Sequence, residues 1–181
     1  MFRILSLFAV ITTSVFIVTN AAHDDYMKEI KIDYVQLTKE AQQEIDCLAE
    51  NIYYEAAHEP YDGRVAVALV TLNRVNDPRY PNNICGVVKQ KARIVKIGDS
   101  RVTCQFSWYC EKNKRIGDFN KYRQAEEIAL YVYANYEQIK DFTNGALFYH
   151  ADYVNPRWKK LVKTTTIGRH IFYKETRQER I

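Results

Sequence analysis

The sequence is poor in glycine and proline, with 6 and 4 among 181 residues. That excludes collagen-like and low-complexity architectures, and no internal repeat is visible. A charge excess is also missing. The 26 Lys and Arg against 22 Asp and Glu leave +4, spread along the chain. Such a balance is too weak to argue for nucleic acid, and no nucleic-acid partner is expected. Histidine is scarce: His23, His58, His150 and His170 show no His-x-x-x-His or other tight ligand spacing. Cysteine is limited to Cys47, Cys85, Cys104 and Cys110, with no Cys-x-x-Cys pair, which argues against a structural zinc site. No metal and no cofactor are expected. The apolar run Ile4 to Val18 falls short of the roughly 20 residues of a bilayer span. It is further diluted by Ser6, Thr12, Thr13 and Ser14.

What is present is an ordinary globular balance, 47% hydrophobic and 27% charged, at a length that suits one domain. Tyrosine is plentiful, at 14 residues. Its ring and hydroxyl suit sugar- or peptide-binding clefts, and equally serve as core filler. Residues 1–22 read as a signal peptide. Arg3 is its positive start, and Thr19-Asn20-Ala21-Ala22 offers small residues for cleavage before the charged His23-Asp24-Asp25. An uncleaved anchor is the rival reading. Residues 23–40 read as a linker or arm, 41–175 as the single folded domain and 176–181 as a tail. An exported chain with four cysteines suggests two disulfides, for which three pairings are open. A bond between Cys104 and Cys110 would close a short aromatic loop. A cysteine nucleophile would want an unpaired thiol beside an imidazole, which this count does not favour.

Thr38 looks like a helix cap, and Ile45, Leu48, Ala49, Ile52, Tyr53 and Ala56 recur at helical spacing, so Glu40 to His58 is expected to be an amphipathic helix. Asp62 is expected to cap a second, buried helix over Gly63 to Val75. A short helix over Asn83 to Lys91 and a small hairpin over 92–103 follow. Asp118 or Asn120 opens another helix, with Ala125, Ile128, Ala129, Val132 and Ile139 as its stripe. Ala146 to Tyr153 and Lys163 to Tyr173 read as strands, the second broken by Gly168. Helices first and strands late make an α+β fold, mainly helical with a small late antiparallel sheet.

Three stretches can carry chemistry. In Ile52-Tyr53-Tyr54-Glu55-Ala56-Ala57-His58-Glu59-Pro60, Glu55 sits at the flank of the apolar stripe and near the helix C-terminus. Burial and the negative end of the helix dipole both raise a carboxyl pKa. A carboxyl kept protonated is what a general acid in glycosidic cleavage needs. The plainer reading is a solvated flank residue. The second stretch is Cys104-Gln105-Phe106-Ser107-Trp108-Tyr109-Cys110, either a sugar-stacking loop or a stapled hydrophobic corner. The third runs from Asn144 to Tyr153. Strand alternation puts Phe148 and His150 on one face and Leu147, Tyr149 and Ala151 on the other.

At these stretches the sequence resembles the SleB-like cell-wall hydrolases. Leu48 to Val75 looks like that family's E-A-R-G-E-P, G-Q-x-A-V and L-N-R-V blocks. Tyr80 to Val88 resembles its proline turn and x-I-x-x-V segment. Gln105-Phe106-Ser107 matches Q-F-S, and Gly145–His150 and Ile167–Tyr173 resemble G-A-x-x-Y-H and I-G-x-H-x-F-Y. The resemblance implies a lysozyme-like fold that cuts the glycan strands of peptidoglycan, with Glu55 as the catalytic glutamate. Ala57 and His58 depart from the usual Arg and Gly beside it. Gln105 would face the cleft, and Phe106, Ser107, Trp108, Tyr149, His150, Tyr54 and Asn73 join it as candidate binding residues. One carboxyl suffices for a lytic transglycosylase, whereas hydrolysis needs two, with Glu59 and Asp62 as candidates. Hydrolytic muramidase or glucosaminidase action, and non-catalytic wall binding, are the alternatives. The expected setting is an exported monomer acting on peptidoglycan, touching a membrane only through an uncleaved leader.

Overall fold

The computed structural model describes residues 34–96 and 99–176. The leader over 1–22, most of the arm, Gly98 and nearly all of the 176–181 tail lie outside the described residues. The end of the arm is ordered structure. Tyr34–Gln36 forms a 3-10 turn, and Tyr34 and Leu37 pack on the core. The Tyr34 hydroxyl donates to Asp46 at 2.7 Å.

Helix α1 spans Lys39–Ala56. Thr38 caps it, its hydroxyl accepting from the Ala41 amide at 3.2 Å. Ile45, Leu48, Ala49 and Ile52, three or four apart, are all buried. Pro60 then starts α2, Tyr61–Val75. The capping expected of Asp62 is corrected here. Pro60 holds the N-cap, and Asp62 lies in the first turn without a capping bond. The fixed φ of proline suits a helix start, where an amide donor is not needed. Every residue from Val65 to Leu72 is buried, so α2 is the central helix.

Asn83 caps the short helix α3, Ile84–Val88, accepting from Gly86 at 2.6 Å. The Cys47–Cys85 disulfide ties α1 to α3. Strands β1, Lys91–Lys96, and β2, Asp99–Cys104, form an antiparallel hairpin. A second disulfide, Cys104–Cys110, closes the 3-10 turn Ser107–Cys110 that follows. Asp118 caps α4, Phe119–Asn135, and Ala125, Ile128, Ala129 and Val132 bury its inner face. Ile139 lies beyond this helix.

The late sheet has the order β3-β5-β4, all antiparallel, with β3 Phe148–Ala151, β4 Leu161–Ile167 and β5 His170–Glu175. The segment read as one interrupted strand is thus the β4–β5 hairpin. Gly168 at φ +56° makes its turn. Phe172, fully buried, packs with Ala66, Val70 and Ala146 and seats the sheet on α2.

Candidate active site

Glu55 is the penultimate residue of α1, half-buried where the helix ends. The Tyr149 hydroxyl, from β3, donates to Glu55 Oε2 at 2.9 Å. The Tyr149 ring is fixed by His170 and Phe172, with ring centroids at 5.1 and 5.7 Å. Burial raises the Glu55 pKa above the ordinary carboxylate value. The Tyr149 hydrogen bond and the Arg74 charge oppose that rise without cancelling it. Burial also holds the Tyr149 hydroxyl well above its usual range, so it stays a donor.

Arg74 is a charged residue that the apolar pattern of α2 hides. It is 3% exposed. Its Nε donates to the Leu147 carbonyl at 2.8 Å, and its guanidinium lies over the Phe106 ring at 5.1 Å and the Tyr80 ring at 5.7 Å. The Gln105 amide, with its oxygen toward Arg74, accepts from both terminal nitrogens at 3.2 and 3.3 Å. Gln105, itself exposed, therefore bears on Glu55 through a buried cation. The signal for Arg74 in the sequence was a lone arginine at the end of an apolar run.

A cleft of about 560 Å³ opens beside Glu55. Tyr54, Glu59, Arg115, Lys121 and His170 are among its walls. Tyr54 stacks on Trp108 at 4.6 Å, and the Trp108 indole donates to Asn51 at 3.1 Å. Asn51 in turn donates to Thr71 at 3.1 Å, a buried polar chain joining α1, α2 and the 107–110 turn. Phe106 and Trp108 are both buried. A buried ring offers a ligand no open face: Trp108 backs the wall that Tyr54 presents, and Phe106 lies beneath Arg74. Ser107 is exposed.

Ser107 is not among the cleft walls, and Asn73 and His150 are tied to other partners. Asn73 donates to Asp141, Thr143 and the Ala146 carbonyl, tying α2 to the loop before β3. His150 faces the other side of the sheet from Tyr149, as alternation requires, and bonds Tyr173 at 3.0 Å. Glu59, read from the sequence as a candidate second carboxylate or a turn residue beside Pro60, holds a turn in place. Its Oε2 accepts from the Arg169 amide at 2.8 Å, clamping the β4–β5 turn to the α1–α2 junction. All four cysteines are in disulfides, so no thiol remains as a nucleophile. Among the described residues no group of three or more His, Cys, Asp and Glu converges to hold a metal.

Comparison with known proteins places this architecture. A family model described as Cell Wall Hydrolase matches residues 58–173. The match starts just past Glu55 and does not bear on that residue. The spore cortex-lytic enzyme of Bacillus subtilis (strain 168) is 40% identical over 62 residues, 34% of this chain and 20% of that enzyme. The spore cortex-lytic enzyme of Bacillus cereus (strain ATCC 14579) is 30% identical over 138 residues, 74% of this chain and 45% of that enzyme. The chain thus spans less than half the length of these relatives. The crystal structure of the catalytic domain of the Bacillus cereus SleB protein matches at 30% identity with a TM-score of 0.50, over 74% of this chain and 91% of that domain. The likeness to that domain extends the α+β assignment from element order to architecture. With one family model covering most of the described residues and a solved catalytic domain matched along nearly its whole length, the chain belongs to the cell wall hydrolase family.

Proposed function

We propose that this protein cleaves the glycan strands of peptidoglycan, with Glu55 as general acid and then base. The observation that carries the reading is the Tyr149–Glu55 hydrogen bond at the edge of an open cleft. Burial favours the protonated carboxyl, which can give its proton to a glycosidic oxygen. The C1–O bond then breaks as the leaving sugar takes that proton, and Tyr149 steadies the carboxylate left behind.

The second half of the cycle follows from which carboxylates are free. Glu59 is held on the Arg169 amide, and Asp62 is exposed in the first turn of α2. The single-carboxyl route of a lytic transglycosylase fits this arrangement. The Glu55 carboxylate takes the proton of the muramic acid C6 hydroxyl, O6 bonds to C1, and a 1,6-anhydro sugar leaves. Water attacking in place of O6 is the hydrolytic alternative, favoured by the presence of Glu59 in the same cleft wall. Two disulfides suit an exported protein acting at the wall.

The test is mass spectrometry of fragments released from purified peptidoglycan. Anhydro-muropeptides, lighter by one water, support the transglycosylase route, and reducing ends the hydrolytic one. A Glu55→Gln variant that still clears a wall suspension would defeat the assignment of Glu55. Binding to the wall without any release of soluble fragments by the unaltered protein would leave a wall-binding protein.

A further inference from the structure

A second hollow of about 420 Å³ lies on the other face of the late sheet. His150, Tyr173 and Trp158 build its aromatic wall. The His150 and Tyr173 rings stack at 5.2 Å and 21°, and Trp158 meets both edge-on at 5.5 and 5.7 Å. Two of the rings, His150 and Tyr173, are pinned by hydrogen bonds. His150 Nδ1 lies 2.9 Å from the Ala151 carbonyl, which can only accept, so Nδ1 carries the proton. Nε2 is then the acceptor for the Tyr173 hydroxyl at 3.0 Å. Trp158 nevertheless remains 44% exposed. His150 and Tyr173 are thus held in place before any ligand arrives, and the Trp158 ring beside them stays open. Asp152 and Asn155 supply polar groups at its rim.

The hollow and the cleft lie on opposite sides of one chain segment. Along the end of β3 and the residues after it, alternation sends Ala151 and Tyr153 to the Glu55 cleft and His150, Asp152 and Val154 to the second hollow. Arg169, a wall of the cleft, pairs with Asp152 at 3.2 Å and lies over the Tyr153 ring at 5.2 Å. One ridge therefore separates the two sites. A polymer leaving the cleft has to cross only that ridge to reach the aromatic wall.

We propose that this second hollow is a saccharide site that holds an N-acetylhexosamine ring of the same glycan strand, away from the bond being cut. The proposal rests on the glycan-cleaving reading of the cleft. A flat aromatic face beside planar polar groups matches a pyranose, with one apolar face and hydroxyls around its edge. A site of this kind contributes binding without chemistry and keeps the enzyme on a long strand.

The test uses the full chain, with disulfides intact and Glu55→Gln to prevent cleavage, in sedimentation with insoluble purified peptidoglycan. Replacing Trp158 with Ala is expected to weaken binding about tenfold. Trp158→Phe, which keeps an aromatic face, should stay within about twofold. Val154→Tyr, at an exposed rim position, fills the hollow without removing a ring and should reproduce the loss even where Trp158→Ala unfolds the sheet. Binding by both Trp158→Ala and Val154→Tyr equal to the parent's would overturn the proposal. If the unaltered protein still releases glycan fragments in that case, the reading of the cleft stands alone. No fragment release and no sedimentation of the parent would overturn both.

Discussion

The Tyr149 hydroxyl donates to Glu55 Oε2 across 2.9 Å, joining the last turn of α1 to the edge strand of a sheet 94 residues on. The bond stabilises the carboxylate, while burial stabilises the acid. The two effects pull in opposite directions on one group, and burial is the larger. Glu55 therefore holds its proton more tightly than an exposed glutamate does, yet meets a donor ready for the carboxylate once the proton is given away.

Glu55→Gln is expected to lower wall-lytic activity by two to four orders of magnitude, the usual worth of a general acid–base group. The same change should stabilise the fold at neutral pH. The pKa of Glu55 is raised on folding, so the stability its proton contributes is complete below the ordinary value of 4.5 and is lost as pH rises through the folded value. Glutamine does not titrate. The midpoint of thermal unfolding of Glu55→Gln should therefore exceed that of the unaltered protein at pH 7, and the gap should close on acidification. A gap that widens in acid would refute the burial of this carboxyl.

Tyr149→Phe removes the donor and leaves the ring. The carboxylate loses its hydrogen bond, so the Glu55 pKa rises further. The alkaline limb of the kcat/KM profile, where the acid form runs out, should move to higher pH, with a lower rate at the plateau. A limb that moves the other way, or stays in place, would separate Tyr149 from the acid.

Gly168 should tolerate no side chain. A Cβ there would collide with Glu59 Oε2, and its φ is +56°. Gly168→Ala is expected to cost about 1–3 kcal/mol in urea unfolding. Adding Glu59→Ala removes the clash but not the backbone strain, so the double variant should lose less than the two single losses together. Strict additivity would mean that Glu59 does not clamp this turn.

The two disulfides should differ in weight. Cys47–Cys85 closes a separation of 38 residues and Cys104–Cys110 one of 6. Loop-closure entropy assigns about 4 kcal/mol to the first and about 2 kcal/mol to the second. Calorimetry of the two double-Ser variants, made separately, should give the larger drop in Tm for Cys47/Cys85. The reverse order would mean that the short loop is strained when open, since it holds Trp108 against Asn51.

The helical stripes were legible because their signal is local. Ile45, Leu48 and Ile52 repeat with the period of the helix they form, and α2 shows itself by an unbroken run of buried residues. The β4–β5 turn was marked by Gly168, although as a break in one strand rather than the hinge of two. Strand alternation around residue 149 correctly separates the faces of Tyr149 and His150. The contacts of Arg74 and Glu59 were not legible, for one reason. Their partners Leu147 and Arg169 lie 73 and 110 residues away, and no local period encodes such a pairing. Asp62 was misread because Asp is a common cap, whereas Pro60 already set the backbone for the helix to begin.

Gln105 and Arg74 give the sharpest test of how the site is held. If Gln105 met the substrate directly, its loss and the loss of Arg74 would add. Its amide oxygen instead accepts from the Arg74 guanidinium, which also donates to Leu147 in the segment leading to Tyr149. Arg74→Lys keeps the charge and gives up the fork, and should cost about 1.5–3 kcal/mol of stability. Arg74→Met removes a charge that lowers the Glu55 pKa, so the alkaline limb should move up, as in Tyr149→Phe. Gln105→Ala loosens the same guanidinium and should lower kcat more than it raises KM. Once Arg74 is Met, Gln105→Ala has nothing left to loosen, and its further effect on kcat should nearly vanish. A double variant whose losses multiply would place Gln105 on the substrate itself.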